Sequence, residues 1–181
     1  MKIFFMSDIH GSLYYLNKAL KAYEREKCEY IVILGDILYH GPRNDIPKGY
    51  DPKSVANTLN KLKNKIMCVK GNCDGEVDQM MIEFPILCDY STIFYKEKRL
   101  FLTHGHKYNK NNMLPVDKGD IIISGHTHIP VCEKVEGVYF INPGSITFPK
   151  ENTKHSYGIL EDDKFIIKDL NGENILQITI E

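Results

Sequence analysis

The chain has 181 residues, 43% of them hydrophobic and 26% charged, with a formal net charge of -1. That length and composition suit one compact domain over residues 1–181 with a core of its own, and argue against a disordered or repeat architecture. The near-neutral balance offers no overall attraction to nucleic acid or to an anionic membrane surface.

The opening segment MKIFFMSDIHG has a short apolar run, Ile3 to Met6, that reads as a buried strand ending in a polar turn. It is too short for a signal peptide or a membrane span, so a soluble, unexported protein is expected. From Ser12, a suitable N-cap, Leu13, Leu16, Ala19, Leu20 and Tyr23 recur at helical spacing up to Cys28. Tyr30 to Gly35, YIVILG, reads as a second buried strand, parallel to the first across the intervening helix, and Asp36 follows it directly. Residues His40 to Lys53 carry three prolines and two glycines and read as a structured loop. A helix is predicted from Pro52 to Lys63, then a strand, IMCVK, leading into the turn GNCDG at Gly71 to Gly75.

Beyond Pro85 the hydrophobic period shifts towards two. Short strands separated by KEK, EG, DD and NGEN read as hairpins, so the second half is expected to be mainly β. The sum is an α/β protein with two facing sheets and helices outside. Cys28, Cys68, Cys73, Cys88 and Cys132 are odd in number and form no CxxC pair. They therefore argue against a disulfide framework and point to a reducing, cytoplasmic setting.

Polar clusters fall just after apolar strands: Asp8-x-His10, Asp36, Asn72-Cys73-Asp74, His104-Gly105-His106 and His126-Thr127-His128. In α/β sheets, ligand sites lie beyond the carboxyl ends of strands, so these clusters can converge. Taken singly, each has an ordinary reading as a turn, a cap or a surface histidine. Together they hold five of the chain's seven histidines, and no structural need explains that clustering. Carboxylate, imidazole and amide donors without an obligatory thiolate suit manganese, iron or zinc better than calcium.

The ordered set SDIHG, LGD, GNCD, THGH and SGHTH resembles that of the calcineurin-like metallophosphoesterases. With HGPRN and NPGS added, it is similar in particular to the small bacterial YfcE-like phosphodiesterases. The resemblance implies a four-layered αββα sandwich with two facing mixed sheets. It also implies two divalent metal ions, manganese first, with iron, zinc, nickel or magnesium as alternatives. Carried over residue by residue, Asp8, His10, Asp36 and His128 would hold one ion, and Asp36, Asn72, His104 and His126 the other. The implied reaction is phosphodiester hydrolysis by a metal-bridging hydroxide, with no protein nucleophile.

Asn72, Cys73, Asp74 and His106 are the remaining catalytic candidates. His106 orients a ligand or contacts substrate, and Asp74 orients its neighbour or fixes the loop. Cys73 stands where many relatives have a proton-donating histidine. A thiol is a poor donor beside an imidazolium, so Cys73 is expected to be a substrate-facing wall, and the enzyme to favour good leaving groups. Arg43 is either a phosphate contact through its planar donor fork or a surface arginine. Asn142 and Ser145 in and beside NPGS are candidate supports, and Gly144-Ser145 lacks the G-x-S-x-G elbow of a serine hydrolase. The expected partner is a small-molecule phosphodiester, with no nucleic acid or membrane, and a homodimer or homotetramer is admitted. The rival readings are a catalytically silent metal-binding scaffold, a phosphomonoesterase, or a nuclease of the same fold.

Overall fold

The computed structural model describes residues 1–181. Strand β1 (Lys2–Met6) is followed by helix α1 (Leu13–Glu26), whose N-cap Ser12 accepts a hydrogen bond from the Tyr15 amide at 3.2 Å. The helix stops where Lys27 enters the left-handed region. Strand β2 (Tyr30–Ile33) then pairs parallel to β1, as the periodicity predicts.

Helix α2 (Pro52–Asn60) ends earlier than predicted. The Asn60 side chain turns away to bond the Met81 carbonyl at 3.0 Å and the Glu83 amide at 2.9 Å. A 3-10 turn at Lys63–Lys65 then leads into β3 (Ile66–Cys68). The short helix α3 (Glu76–Met81) has no counterpart in the sequence reading. Its Val77 and Met80 are exposed, so it presents no apolar stripe for periodicity to reveal.

The second half contains β4 (Tyr90–Tyr95), β5 (Lys98–Thr103), β6 (Ile121–Ile123), β7 (Val131–Val135), β8 (Val138–Asn142), β9 (Ser156–Glu161), β10 (Lys164–Asp169) and β11 (Asn174–Thr179). The predicted hairpins join β4 to β5, β7 to β8, β9 to β10 and β10 to β11. One sheet runs β11-β10-β9-β1-β2-β3 and the other β4-β5-β6-β8-β7. Both are mixed: β1, β2 and β3 are parallel, as are β5, β6 and β8.

Strand alternation assigns each side chain of the first sheet to a layer. Phe4, Met6, Ile31 and Ile33 pack under α1 and α2 with Leu16, Val55 and Leu59. Ile3, Phe5, Val32 and Leu34 face the other way and meet Leu100, Leu102, Ile121 and Ile123 of the second sheet. Burial on both faces explains the unbroken apolar runs of β1 and β2. On the outer face of the second sheet, Phe101, Ile122, Val138 and Phe140 pack with Leu114, Tyr108 and Val116. The covering layer there is the connection between β5 and β6 rather than a helix.

Register sends the polar turns to one end. Met6 pairs with Ile33 and Ile33 with Cys68, so Asp8, Asp36 and Asn72 leave the first sheet together. Leu102 pairs with Ile123 and Ile123 with Ile141, so His104 and His126 leave the second sheet beside them.

An ion-pair network ties the end of α1 to the first sheet. Glu26 accepts hydrogen bonds from Lys168 at 2.9 and 3.1 Å and from the Tyr157 hydroxyl at 2.9 Å, and Lys2 lies 3.7 Å away. Burial opposes the Glu26 charge, but the bonds from Lys168 and Tyr157 and the attraction of Lys168 and Lys2 outweigh it, holding the carboxyl below its usual range. A depressed carboxyl stabilises the fold above its unfolded-state pKa, and that contribution is lost as pH falls through the folded-state value. Glu26→Gln is therefore expected to cost about 1–2 kcal/mol near pH 7, with the gap between variant and parent closing below about pH 4. Denaturant unfolding at graded pH checks this; a gap that widens in acid contradicts it.

Candidate metal centre

Asp8, His10, Asp36, His126 and His128 all adopt positive φ, between 49° and 66°. Each non-glycine residue in this region costs about 1 kcal/mol or more, and such strain concentrates at functional sites. The turns are held by backbone bonds: His10 N to Asp36 O at 2.9 Å, Asp8 N to Gly35 O at 3.1 Å and Gly125 N to His104 O at 2.9 Å. Gly71 and Gly125 are among the glycines of these turns that leave no room for a side chain. A Cβ on Gly71 would lie 2.1 Å from Asp36 Oδ1, and one on Gly125 would lie 1.9 Å from Ser7 Oγ.

Three histidines are oriented alike. The Nδ1–H of His10 donates to the Tyr39 carbonyl at 2.8 Å, that of His104 to Leu34 at 2.6 Å and that of His128 to Phe148 at 2.6 Å. A carbonyl only accepts, so each Nδ1 carries a proton and each Nε2 is the atom turned into the site. The Nε2 atoms meet carboxylates. His128 Nε2 lies 3.1 Å from Asp8 Oδ1, and His10 Nε2 lies 3.7 Å from it. Asp36 Oδ2 stands 3.7 Å from His10 Nε2 and 3.5 Å from His104 Nε2, facing both histidines.

Asp8 Oδ1 and His10 Nε2 are buried and make no hydrogen bond. Buried donors and acceptors are ordinarily paired, so orphaned atoms that share a focus with other lone pairs fit a cation. The triplets Asp8, His10, His128 and Asp8, Asp36, His104 each place ligand atoms within 4.8 Å of one another, as does a third, His10, Asp36, Cys73, that includes the thiol. The donor set therefore fits divalent metal. Asn72 Oδ1 lies 3.1 Å from His104 Nε2, which brings it to the second triplet. The His126 ring carries no hydrogen bond to a carbonyl; its amide donates to Asp8 Oδ2 at 3.2 Å and its ring centroid lies 5.1 Å from that of His104.

Burial disfavours charge on Asp8, but His128, His104 and His10 outweigh it and hold the carboxyl well below its usual range. Burial likewise opposes the His104 cation, yet the bond to Asp36 and the fields of Asp8 and Asp36 raise its pKa to about 9.

A cavity of about 370 Å³ opens over these residues. His10, Asp36, Asn72, Cys73, His126, His128 and Arg43 line it, while Asp8 and His104 are buried, with none of their surface exposed. Burial, then the carboxylates of Asp36, Asp74 and Asp8, push the Cys73 thiol up to about 12. Its sulfur receives a bond from Asn72 Nδ2 at 3.3 Å, and its amide donates to Asp36 Oδ1 at 2.8 Å.

Asp74 is placed away from the cavity. It accepts 2.8 Å bonds from the backbone amides of Asp36, Ile37 and Gly71, stapling the GNCD turn to the LGD turn. Burial raises its carboxyl to about 6 despite those donors. His106 lies outside the cavity too, with ring centroids 5.3 Å from His104 and 6.1 Å from His126. It lines a neighbouring cavity that shares His126. Asn142 Nδ2 bonds the Gly125 carbonyl at 2.7 Å and Thr127 Oγ1 at 3.0 Å, while Ser145 Oγ donates to the Asp8 carbonyl at 3.0 Å. Both act as braces behind the ligand turns.

Asn44 and Lys150 also line the main cavity, and sequence reasoning did not single them out. The same holds for the carbonyls of Leu34, Tyr39 and Phe148. A backbone acceptor leaves no mark in residue type, and a lone lysine in a polar loop has no distinguishing spacing.

The calcineurin-like phosphoesterase superfamily domain matches residues 1–164. Phosphodiesterase YfcE of Escherichia coli (strain K12) is 43% identical over 176 residues, covering 97% of this chain and 96% of that one. Phosphodiesterase MJ0936 of Methanocaldococcus jannaschii is 30% identical over 152 residues, covering 80% of this chain and 83% of that one. A solved structure of YfcE, a phosphoesterase from E. coli, matches with a TM-score of 0.98 at 41% identity over 100% of each chain.

Gly71→Ala drives a methyl into Asp36 and is expected to cost about 1–3 kcal/mol of stability and to lower bound metal. Gly75→Ala is the contrast, because its Cβ would meet only Asp78 Oδ2 at 3.7 Å. Metal analysis after dialysis, beside thermal unfolding, checks the pair; equal metal content in both variants contradicts the steric account.

Proposed function

The chain belongs to the calcineurin-like phosphoesterase superfamily, and from that membership and its polar cavity we propose that it hydrolyses small phosphodiesters at a two-metal centre. The observation that carries this reading is Asp36 Oδ2 facing His10 Nε2 on one side and His104 Nε2 on the other. A single carboxylate oxygen so placed can serve two ligand sets, Asp8, His10, Asp36 and His128 against Asp36, Asn72, His104 and His126. Two divalent ions bound there supply Lewis acidity and an activated attacking water. Manganese is the proposed metal on the resemblance to the YfcE-like phosphodiesterases, and a donor set of nitrogen and oxygen admits it alongside iron, zinc, nickel or magnesium.

The protein's own part is positioning. Carbonyl bonds to Nδ1 fix three ligand rings before any ion binds, so little reorganisation remains. Asp74 holds the two turns that carry Asp36 and Asn72 at a constant separation. Arg43, on the cavity wall, is the proposed substrate contact. Cys73 shapes the wall, and a thiol donates weakly beside an imidazolium. With His106 outside the main cavity and a thiol at position 73, no imidazole beyond the ligand set is placed to protonate the leaving oxygen, and diesters with stable leaving anions are favoured.

A small diester suits the cavity, and the net charge of -1 provides no field for nucleic acid. Five free cysteines support a cytoplasmic setting, and no helix is long and apolar enough to cross a membrane. Exposed Tyr90 and Phe94 on the edge strand β4 support self-association.

Asp36→Ala is expected to lower bis(p-nitrophenyl) phosphate turnover by about a thousandfold or more, and full turnover in that variant sinks the two-metal reading. Cys73→His should flatten the dependence of kcat/KM on leaving-group pKa across a series of aryl and alkyl diesters. Equal slopes in parent and variant discard the missing-donor argument.

A further inference from the structure

The main cavity carries two cations that metal binding does not use. Arg43 and Lys150 both line it, and neither is paired with a carboxylate. Lys154, by contrast, is held by Asp169 at 3.1 Å and Glu173 at 2.7 Å.

Both cations ride on loops anchored to the same half of the centre. The Tyr39 carbonyl receives His10 Nδ1, and the turn beyond it closes with Asn44 Nδ2 donating to the His40 carbonyl at 2.7 Å. The Phe148 carbonyl receives His128 Nδ1, and the next turn closes on the Lys150 carbonyl through Thr153 N at 3.0 Å and Thr153 Oγ1 at 2.6 Å. The rings of His10 and His128 are themselves neighbours, with centroids 5.4 Å apart. The loops that carry Arg43 and Lys150 are therefore each tied to a histidine of the Asp8, His10 and His128 half of the centre. The other half, at His126, borders the cavity that holds His106.

Charge counting shows why these cations need a partner. Asp8 and Asp36 are the two carboxylates of the ligand set, so two divalent ions leave the loaded centre positive before substrate arrives. A simple phosphodiester brings a single negative charge, and the centre alone accommodates it. Two more unpaired cations lining the cavity add to that positive charge, which concentrates anions and favours a ligand of higher negative charge.

We propose that Arg43 and Lys150 form a subsite for a second anionic group, a carboxylate or a phosphate, carried on the organic part of the phosphodiester. This rests on the phosphodiesterase reading above and specifies its substrate class. The planar guanidinium can take such a group through two parallel hydrogen bonds, and the ammonium adds a point charge from the facing loop.

The test is calorimetric binding to the manganese-loaded protein, using the P-methyl monoester of 4-phosphonobutanoate, its neutral carboxamide and the corresponding bisphosphonate. The methyl ester has a poor leaving group, so binding is read without turnover, and the last compound separates a phosphate-like from a carboxylate preference. The carboxylate or the bisphosphonate is expected to bind about fivefold tighter than the carboxamide, less so at high salt. Lys150→Gln and Arg43→Gln should each erode that advantage, while Lys118→Gln, on a different surface, leaves it intact. Equal binding of all three compounds overturns the subsite while leaving the phosphodiesterase reading in place, as does an advantage that survives both substitutions. Failure of all three to bind, together with no diester turnover, removes the phosphodiesterase reading itself.

Discussion

The placement of the Asp36 carboxylate is the constraint on which the site depends. Asp36 sits in left-handed backbone at the end of β2, with φ of 56°. Its amide is held by Asp74 Oδ2 at 2.8 Å, and its Oδ1 receives the Cys73 amide at 2.8 Å. That leaves Oδ2 aimed between His10 and His104. The contact closes a loop between sheet ends: β1 delivers His10, β2 delivers Asp36, β3 leads to the GNCD turn and β5 delivers His104. Gly71 completes it by omission, because any side chain there would occupy the space of the Asp36 carboxylate.

The fold serves this arrangement by aligning strand ends. Two sheets packed through Phe5, Val32, Leu34, Leu102 and Ile123 form a rigid interior, and register within each sheet fixes how far every turn projects. Apolar burial thus supplies the energy that keeps five ligand candidates in a strained backbone region. Orientation is local: a carbonyl from a neighbouring loop selects the tautomer of each of three histidines. Asp74, buried and bonded only to backbone amides, is part of that rigid support rather than of the cavity wall.

Much of this is legible in the sequence because the chemistry and the strand signals coincide. Apolar runs ending in Asp8, Asp36 and the GNCD turn announce both a parallel sheet and a convergent site, and Ser12 marks its helix start unambiguously. Short elements are less visible. Helix α3 has no buried residue to give it a period, and α2 ends when Asn60 turns to a tertiary partner. The cover over the second sheet depends on how Leu114 and Val116 fold back, which spacing does not encode. At the site, Asp8, His10, Asp36, His104, His126 and His128 stand out by residue type and clustering. Lys150 and the orienting carbonyls do not, because their roles come from loop paths closed only in three dimensions.

The cavity combines a strongly polar floor, a thiol at Cys73 and two unpaired cations, Arg43 and Lys150. The proposed function gives attack and charge stabilisation to bound metal, substrate selection to the rim, and weak proton donation to the thiol that stands in place of an imidazole at position 73. The proposed two-metal reading requires Asp36 to be shared between two ions. Crystals of the manganese-loaded protein, measured on both sides of the manganese absorption edge, test that claim most directly. Two anomalous peaks per chain, both bonded to Asp36, are the predicted result; a single peak, or two that do not share Asp36, contradicts the account.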